Sequence, residues 1–475
     1  MIHDFEGCYR FMQSRDPRYD GFFVVGVTST GVYCRQSCPA RLPYRRNVRL
    51  FSNVAAAQHE GFRACKRCDP DGAPGSPAWN RRAGVAGRAV RLIADGAVDR
   101  DGVGGLAARL HFSERQLGRI LVGELGAGPV ALARAQRAQS ARTLIESTEL
   151  PFAQVAVGAG FGSVRQFNDT VRAIYGRTPT ELRSRARRSR RGVAAPGTIE
   201  LRLPCREPFD GDSLLAFLAA RAIPGVEEVE GATYRRTLAL EHGPAVVALT
   251  LGDRVVRAQL RLADLRGLTA AVARCRRLFD LDADPLAISS QLAEDRALAP
   301  LVSARPGLRV PGCVDGFELG VRAIVGQQVS VAAARTVLGR IAARHGEPVT
   351  EPDGLTHRFP GAGGLAELDP AALPFPRKRA EALRSLARLV AAGELHLDAG
   401  ADAGETRAKL MEIPGVGEWT ASYIAMRALD DPDVFLPGDV GIRHALARLG
   451  ADAAPERWRP WRSYAVMQLW RSLDG

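Results

Sequence analysis

The pairs Cys34/Cys38 and Cys65/Cys68 write a C-x3-C, x26, C-x2-C pattern into the start of the chain. Zinc favours tetrahedral thiolate ligation, and two short turns that each carry a ligand pair can close such a tetrahedron around one ion. Any fold of this segment must bring two turns separated by 26 residues onto one point. The segment is also bounded. Asp69-Pro70-Asp71-Gly72-Ala73-Pro74-Gly75-Ser76-Pro77 is a run that neither a helix nor a central strand tolerates. A domain over residues 1–78 is small enough to need its metal as a staple. Spacing leaves open whether the zinc is structural alone. With four thiolates its formal charge is −2, so the sulfurs stay electron-rich and can attack an electrophilic methyl group.

At 475 residues the chain exceeds a single core and predicts about three domains. The net charge of +13 suits a polyanion partner, because Lys and Arg displace the counterions condensed on DNA. Residues 1–20 mix charged with apolar residues and lack the apolar core of a signal peptide. No run of about 18 apolar residues occurs, which predicts a cytoplasmic protein without membrane contact. In that reducing compartment Cys8, Cys205, Cys275 and Cys313 read as ordinary thiols.

From Arg88 to Leu182 apolar residues recur three and four apart, the period of packed helices. Two short helix-turn-helix units stand out. In the first, Val103 to Leu121, the turn ends at Ser113, which can cap the next helix. In the second, Val155 to Ile174, Ser163 does the same, and Arg165, Gln166 and Asn168 then face outward at the start of a helix suited to a major groove. The Arg-rich stretch Arg183 to Gly197 reads as a solvated basic linker that can also touch phosphate. Beyond it, Thr237 to Leu240 and Val246 to Leu251 read as strands and Leu214 to Ala222 as a helix, and from about Ile288 the chain is mostly helical.

Pro414-Gly415-Val416-Gly417 predicts a tight turn between two helices whose exposed N–H groups, at Gly415 and Gly417 above all, can hold a phosphate without reading sequence. Trp419 continues the second helix, and Asp439 follows 20 residues on.

Residues around these motifs carry three resemblances. Thr30-Gly31-Val32-Tyr33-Cys34-Arg35, Ser37-Cys38-Pro39-Ala40-Arg41, Asn47-Val48 and Gly61-Phe62-Arg63 through Cys68 closely resemble the zinc domain of the Ada methylphosphotriester methyltransferases. The resemblance implies one Zn²⁺ on Cys34, Cys38, Cys65 and Cys68, with Cys34 accepting the methyl group. Gln36 stands where many relatives have Pro, a change expected to matter little. Ala159-Gly160-Phe161-Gly162-Ser163, Phe167-Asn168 and Tyr175-Gly176 before Thr178-Pro179 are similar to the AraC-type signature. Leu214 to Ala222 with Phe217 and Arg221, Arg305 to Arg309, Pro311 to Asp315, Val321 to Ser330, Trp461 to Ala465 and the hairpin resemble the AlkA family of 3-methyladenine DNA glycosylases. This last resemblance implies that Asp439 supplies the catalytic carboxylate. It also implies that Phe217, Trp419, Tyr423 and Trp470 line the base pocket, and that Gln328 takes the position of a wedge residue that is usually Leu. Trp419 occupies the place of the Lys used by the lyase branch. No Cys follows Cys313, which predicts no iron-sulfur cluster. Pro204-Cys205-Arg206 does not continue into the Pro-Cys-His-Arg motif of O6-methylguanine methyltransferases.

Together these readings predict a multidomain α+β protein. Its parts are a zinc domain (1–78), an all-α double helix-turn-helix (84–185), a basic linker (186–197), an α+β glycosylase subdomain with an antiparallel sheet (198–287) and an all-α helix-hairpin-helix subdomain (288–475). The expected function is two-fold: irreversible uptake of methyl from DNA phosphotriesters, activating transcription, and monofunctional base excision (EC 3.2.2.21). The expected partners are alkylated and promoter duplex DNA and RNA polymerase, bound by a monomer. The competing reading is an alkylation-sensing regulator whose glycosylase half is inactive and only scans DNA.

Overall fold

The computed structural model describes residues 4–16, 19–68, 70, 84–189, 197–252, 255–349, 354–373, 375–398, 400–450 and 453–473. Most of the Pro/Gly-rich seam and residues 190–196 of the basic stretch lie outside them. The chain forms two compact units. One comprises residues 1–204, 240–243 and 258–273, and the other residues 205–239, 244–257 and 274–475.

In the first unit, strands β1 (Val24–Val27), β2 (Val32–Cys34), β3 (Val48–Phe51) and β4 (Arg63–Ala64) form a sheet of order β3-β1-β2-β4. The tight connection from β1 to β2 needs a residue with positive φ, and Gly31 supplies it at φ 61. β4 runs parallel to β2, with Tyr33 opposite Ala64, so Cys34 and Cys65 leave neighbouring strand ends side by side. Strand pairing thereby closes the 26-residue gap between the two ligand pairs. The core beneath contains the cysteines themselves with Tyr9, Met12, Phe23 and Val25.

The helices of this unit follow the predicted caps. Ser113 accepts from the Gln116 backbone N–H at 3.3 Å, and Gln116 answers as a full capping box for helix Glu114–Leu125. Ser163 accepts from Gln166 N at 3.1 Å and starts helix Val164–Tyr175. The helix before the first turn, Ala97–Arg109, is broken at Gly102 (φ 69), so its regular part begins at Val103 as the sequence suggests. The basic stretch departs from expectation: a helix runs over Pro179–Ser189, through residues read as linker. Arg183 stacks on Phe152 at 4.1 Å and Arg187 pairs with Glu149, and these anchors hold the helix past the point where composition suggests unwinding. Ser52 Oγ and Asn53 Nδ2 both donate to the Leu125 carbonyl, at 2.6 and 2.9 Å, so the zinc region caps the end of the first unit's helix Glu114–Leu125.

Strands β5 (Ile199–Pro204), β6 (Glu227–Glu230), β7 (Thr233–Leu240), β8 (Gly243–Gly252) and β9 (Val255–Leu262) form a sheet of order β5-β9-β8-β7-β6. The β6–β7 pair is antiparallel. The helix expected over Leu214 to Ala222 starts earlier, at Gly211, because Asp210 caps it through Ser213 N. In the helical body of the second unit, helices Gly316–Val325, Arg377–Ala391 and Glu418–Ala428 pack closely. A Cβ at Gly316 would sit 1.5 Å from the Leu397 carbonyl oxygen, so only glycine allows that approach.

A buried charge network holds this unit's β6 and β7 to helix Gly316–Val325. Arg236 bridges Glu227 (2.8 Å) and Glu318 (2.7 Å), and Arg322 bridges the same two carboxylates at 2.6 Å each. Tyr234 OH donates to Glu227 at 2.6 Å. Burial alone would raise the Glu227 pKa, but Arg322 and Arg236 outweigh it and hold the carboxyl at about 2. A carboxyl depressed in the folded state stabilises above its unfolded pKa and loses that contribution as pH falls towards the folded value. Stability of the second unit is therefore expected to fall between about pH 4.5 and 2. Glu227→Gln is expected to destabilise it by ~3–5 kcal/mol at neutral pH and to flatten that acid slope, as read from denaturant melts across pH.

Candidate functional site

The four sulfurs of Cys34, Cys38, Cys65 and Cys68 lie within 4.8 Å of one another. Cys38 N–H donates to the Arg35 carbonyl at 3.3 Å, which closes the first ligand turn, and Cys65 N–H donates to the Tyr33 carbonyl at 2.9 Å. The donor set and its compactness fit one tetrahedral zinc. Hydrogen bonds from Cys38 and Cys68, with burial, drive the Cys34 thiol far above the ordinary thiol range, whereas the contact with Cys34 drives Cys38 down to about 2.

Asp20, which sequence reasoning missed, and Gln36 shape the first ligand turn. Asp20, 3% exposed, accepts from Ser37 N at 2.9 Å and Ser37 Oγ at 2.6 Å, and Arg35 lies 3.5 Å from the same carboxylate. Gln36, expected to matter little, is 2% exposed, and its amide donates to the Phe23 carbonyl. It thus ties the ligand turn to the approach of β1. Among the isolated thiols, burial raises Cys8 and Cys205, and pushes Cys275 and Cys313 to about 12. On the helix-turn-helix face, Arg165 is 94% exposed and Asn168 is exposed, while the Gln166 side chain turns back to accept from Gly162 N at 3.3 Å.

In the second unit the Pro414–Gly417 turn joins helices Ala403–Met411 and Glu418–Ala428. Gly415 sits at φ 92, and Gly417 is the N-cap of the second helix without any side-chain cap. Its first N–H groups are therefore available to an anion. Asp439 caps helix Val440–Leu449 through Ile442 N at 2.9 Å and also accepts two indole N–H bonds, from Trp419 at 2.9 Å and Trp470 at 3.0 Å. Trp419 and Tyr423, one turn apart, stack at 5.2 Å and 7°, and Trp470 lies 6.4 Å from Tyr423. Phe217 joins this aromatic set through Arg427, whose guanidinium lies 4.8 Å from the Phe217 ring and 5.6 Å from the Tyr423 ring.

Gln328 is exposed in the turn between helices, with φ 54. It does not cap the following helix, a role taken by Ser330 through Ala333 N at 3.2 Å. Its neighbour Gln327, not anticipated from the sequence, donates to the Gly415 carbonyl and to Thr420 Oγ1, each at 2.9 Å. The loop that carries Gln328 is thus tied to the hairpin. Among the described residues no helix is long and apolar enough to cross a membrane.

Family models match along the chain: the metal binding domain of Ada over residues 7–71, a helix-turn-helix domain over 106–185, the AlkA N-terminal domain over 200–315, and the HhH-GPD superfamily of base excision DNA repair proteins over 321–458. A probable bifunctional transcriptional activator/DNA repair enzyme AlkA from Mycobacterium tuberculosis is 54% identical over 483 aligned residues, which cover 100% of this chain and 97% of that protein. DNA-3-methyladenine glycosylase 2 of Escherichia coli is 40% identical over 274 residues, 55% of this chain and 94% of its own. The 3-methyladenine DNA-glycosylase structure from Archaeoglobus fulgidus shares the fold, with a TM-score of 0.51 at 22% identity over 57% of this chain and 97% of that one. With its zinc-binding, helix-turn-helix and glycosylase domains in one polypeptide, the chain belongs to the family of bifunctional transcriptional activator/DNA repair enzymes of the AlkA type.

Proposed function

We propose that this chain repairs alkylated DNA in two ways and reports the damage to transcription. The second unit hydrolyses the N-glycosidic bond of alkylated bases such as 3-methyladenine (EC 3.2.2.21). The first accepts one methyl group irreversibly on Cys34 and acts at promoters with RNA polymerase. The observation that carries the glycosylase reading is the fixed Asp439 carboxylate at the edge of a stacked aromatic set, one helix away from an uncapped hairpin.

Duplex DNA is held through phosphate by the backbone N–H groups at Gly415 and Gly417, and the damaged base is extruded, since its bond is unreachable inside the stack. Phe217, Trp419, Tyr423 and Trp470 receive the base. The C1′–N bond then breaks heterolytically, its electron pair going to the base and leaving a sugar oxocarbenium. Three N–H donors occupy lone pairs of Asp439 and fix its rotamer, leaving one position on Oδ2 to face the developing cation and to orient water. Water adds to C1′ and releases its proton to solvent, giving an abasic site. Trp419 offers no amine, so no Schiff base forms.

At the other end the Cys34 sulfur attacks the methyl carbon of a phosphotriester. The C–O bond breaks with its electron pair on phosphate oxygen, and a thioether remains. Zinc would keep the sulfur in its thiolate form. Loss of one negative charge at the cluster lowers its repulsion of phosphate, which supports tighter promoter binding through Ser163, Arg165 and Gln166 after repair.

The two activities are expected to separate. Cys34→Ala should abolish methyl transfer from phosphotriesters yet leave release of 3-methyladenine intact. Asp439→Asn should lower release by at least ~10²-fold, because it also sets an amide N–H₂ against an indole N–H; near-full release by that variant would rule out the mechanism. Borohydride trapping of the unaltered chain on alkylated duplex should yield no covalent adduct, and a substantial adduct would overturn the monofunctional assignment. Gln328→Ala should weaken binding to abasic duplex much more than to undamaged duplex, because an exposed amide in that turn can meet the widowed base. Equal losses on both duplexes would remove Gln328 from the lesion.

A further inference from the structure

The base pocket has a polarity that its aromatic lining does not explain. At one end stands the Asp439 carboxylate, bonded to Trp419, which stacks on Tyr423. At the other, Arg427 Nη1 donates to the Tyr423 hydroxyl oxygen at 2.6 Å, and the same guanidinium faces the Phe217 ring. A second guanidinium, that of Arg221, lies 3.7 Å from the Phe217 centroid and donates to the Phe217 carbonyl at 3.3 Å. Arg427 is 5% exposed, and its other partners are the Pro311 and Gly312 carbonyls, so its bonds hold it in place without cancelling its charge. Burial would raise the Tyr423 phenol pKa, but Arg427, Arg221 and Arg322 outweigh it and lower that pKa, as a positive potential at the ring demands. Pocket contacts therefore run in order from an anion to two cations.

That order matters because glycosidic cleavage moves an electron pair from C1′ to the base. A base quaternised by alkylation enters the pocket as a cation and leaves neutral. A neutral damaged base leaves as an anion and then takes a proton from water. Fixed cations one ring away repel the first on entry and stabilise the second as the bond breaks, and at the buried Arg427 salt screens neither effect well. They also engage π-electron density that a cationic base would otherwise use.

We propose that Arg221 and Arg427 are specificity-determining residues that extend excision to neutral damaged purines at the expense of cationic ones. This rests on the glycosylase reading above and deepens it. The test compares kcat/KM for 7-methylguanine, a cationic lesion, and hypoxanthine, a neutral one, in otherwise identical duplexes. It uses the full chain and its Arg221→Met, Arg427→Met and Arg427→Lys variants, each checked by thermal melting. Both Met variants should raise the cationic-to-neutral ratio at least tenfold, equivalent to about 1.4 kcal/mol, chiefly by slowing hypoxanthine release, and Arg427→Lys should restore the original ratio to within about threefold. A ratio unchanged within twofold in both Met variants overturns the proposal. So does an equal loss on both lesions in folded variants, or an unaltered chain that releases 7-methylguanine but no hypoxanthine. An unaltered chain that releases neither base would sink the glycosylase reading itself, a different and distinguishable failure.

Discussion

Charge can be taken out of water in a protein only beside a compensating charge or a full set of hydrogen bonds, and both units are organised around places where this is done. In the first, four sulfurs within 4.8 Å of one another require a cation between them, and the small sheet has its core against those same cysteines. In the second, Glu227, Arg236, Glu318 and Arg322 alternate in sign and leave no carboxylate without a guanidinium. Removing any one member strands a buried charge, so the network constrains how β6, β7 and helix Gly316–Val325 can be placed far more tightly than apolar packing would.

Asp439 is held by hydrogen bonds from the elements around it. Its carboxylate is a helix N-cap and the acceptor for two indoles at once. A side chain so bound cannot rotate away, and the residues that would line the base pocket are the ones that hold it. Pocket shape and carboxylate position are thus one property. An aromatic substitution that preserves ring area but deletes the indole N–H alters the carboxylate as well as the wall.

Much of this was legible in the chain because it is encoded locally. Cysteine spacing, the caps at Ser113 and Ser163, and the Pro414–Gly417 turn each depend on residues a few positions apart, where backbone geometry leaves few choices. What was hidden depends on partners far away in sequence. Gln36 looks like a neutral replacement until its amide is found on Phe23, and Arg183 and Arg187 look like linker charges until Phe152 and Glu149 are found beneath them. Arg427 carries no motif, and Arg221 enters the Leu214 to Ala222 resemblance without a role of its own. Their meaning comes from the Phe217 ring that lies near both. Helix starts slipped by a few residues for a similar reason: Asp210 and Gly211 are unremarkable as letters, and the cap exists only once the turn is formed.

Gln327 joins the Gly415 carbonyl of the hairpin to Thr420 and sits next to Gln328 in the chain. On the proposed reading this bond couples the part that grips the sugar-phosphate backbone to the part that tests the stack. A displacement of the hairpin is then passed on to the residue beside the probing side chain through a single amide, because Gln327 touches both the turn and the first turn of the helix that follows it.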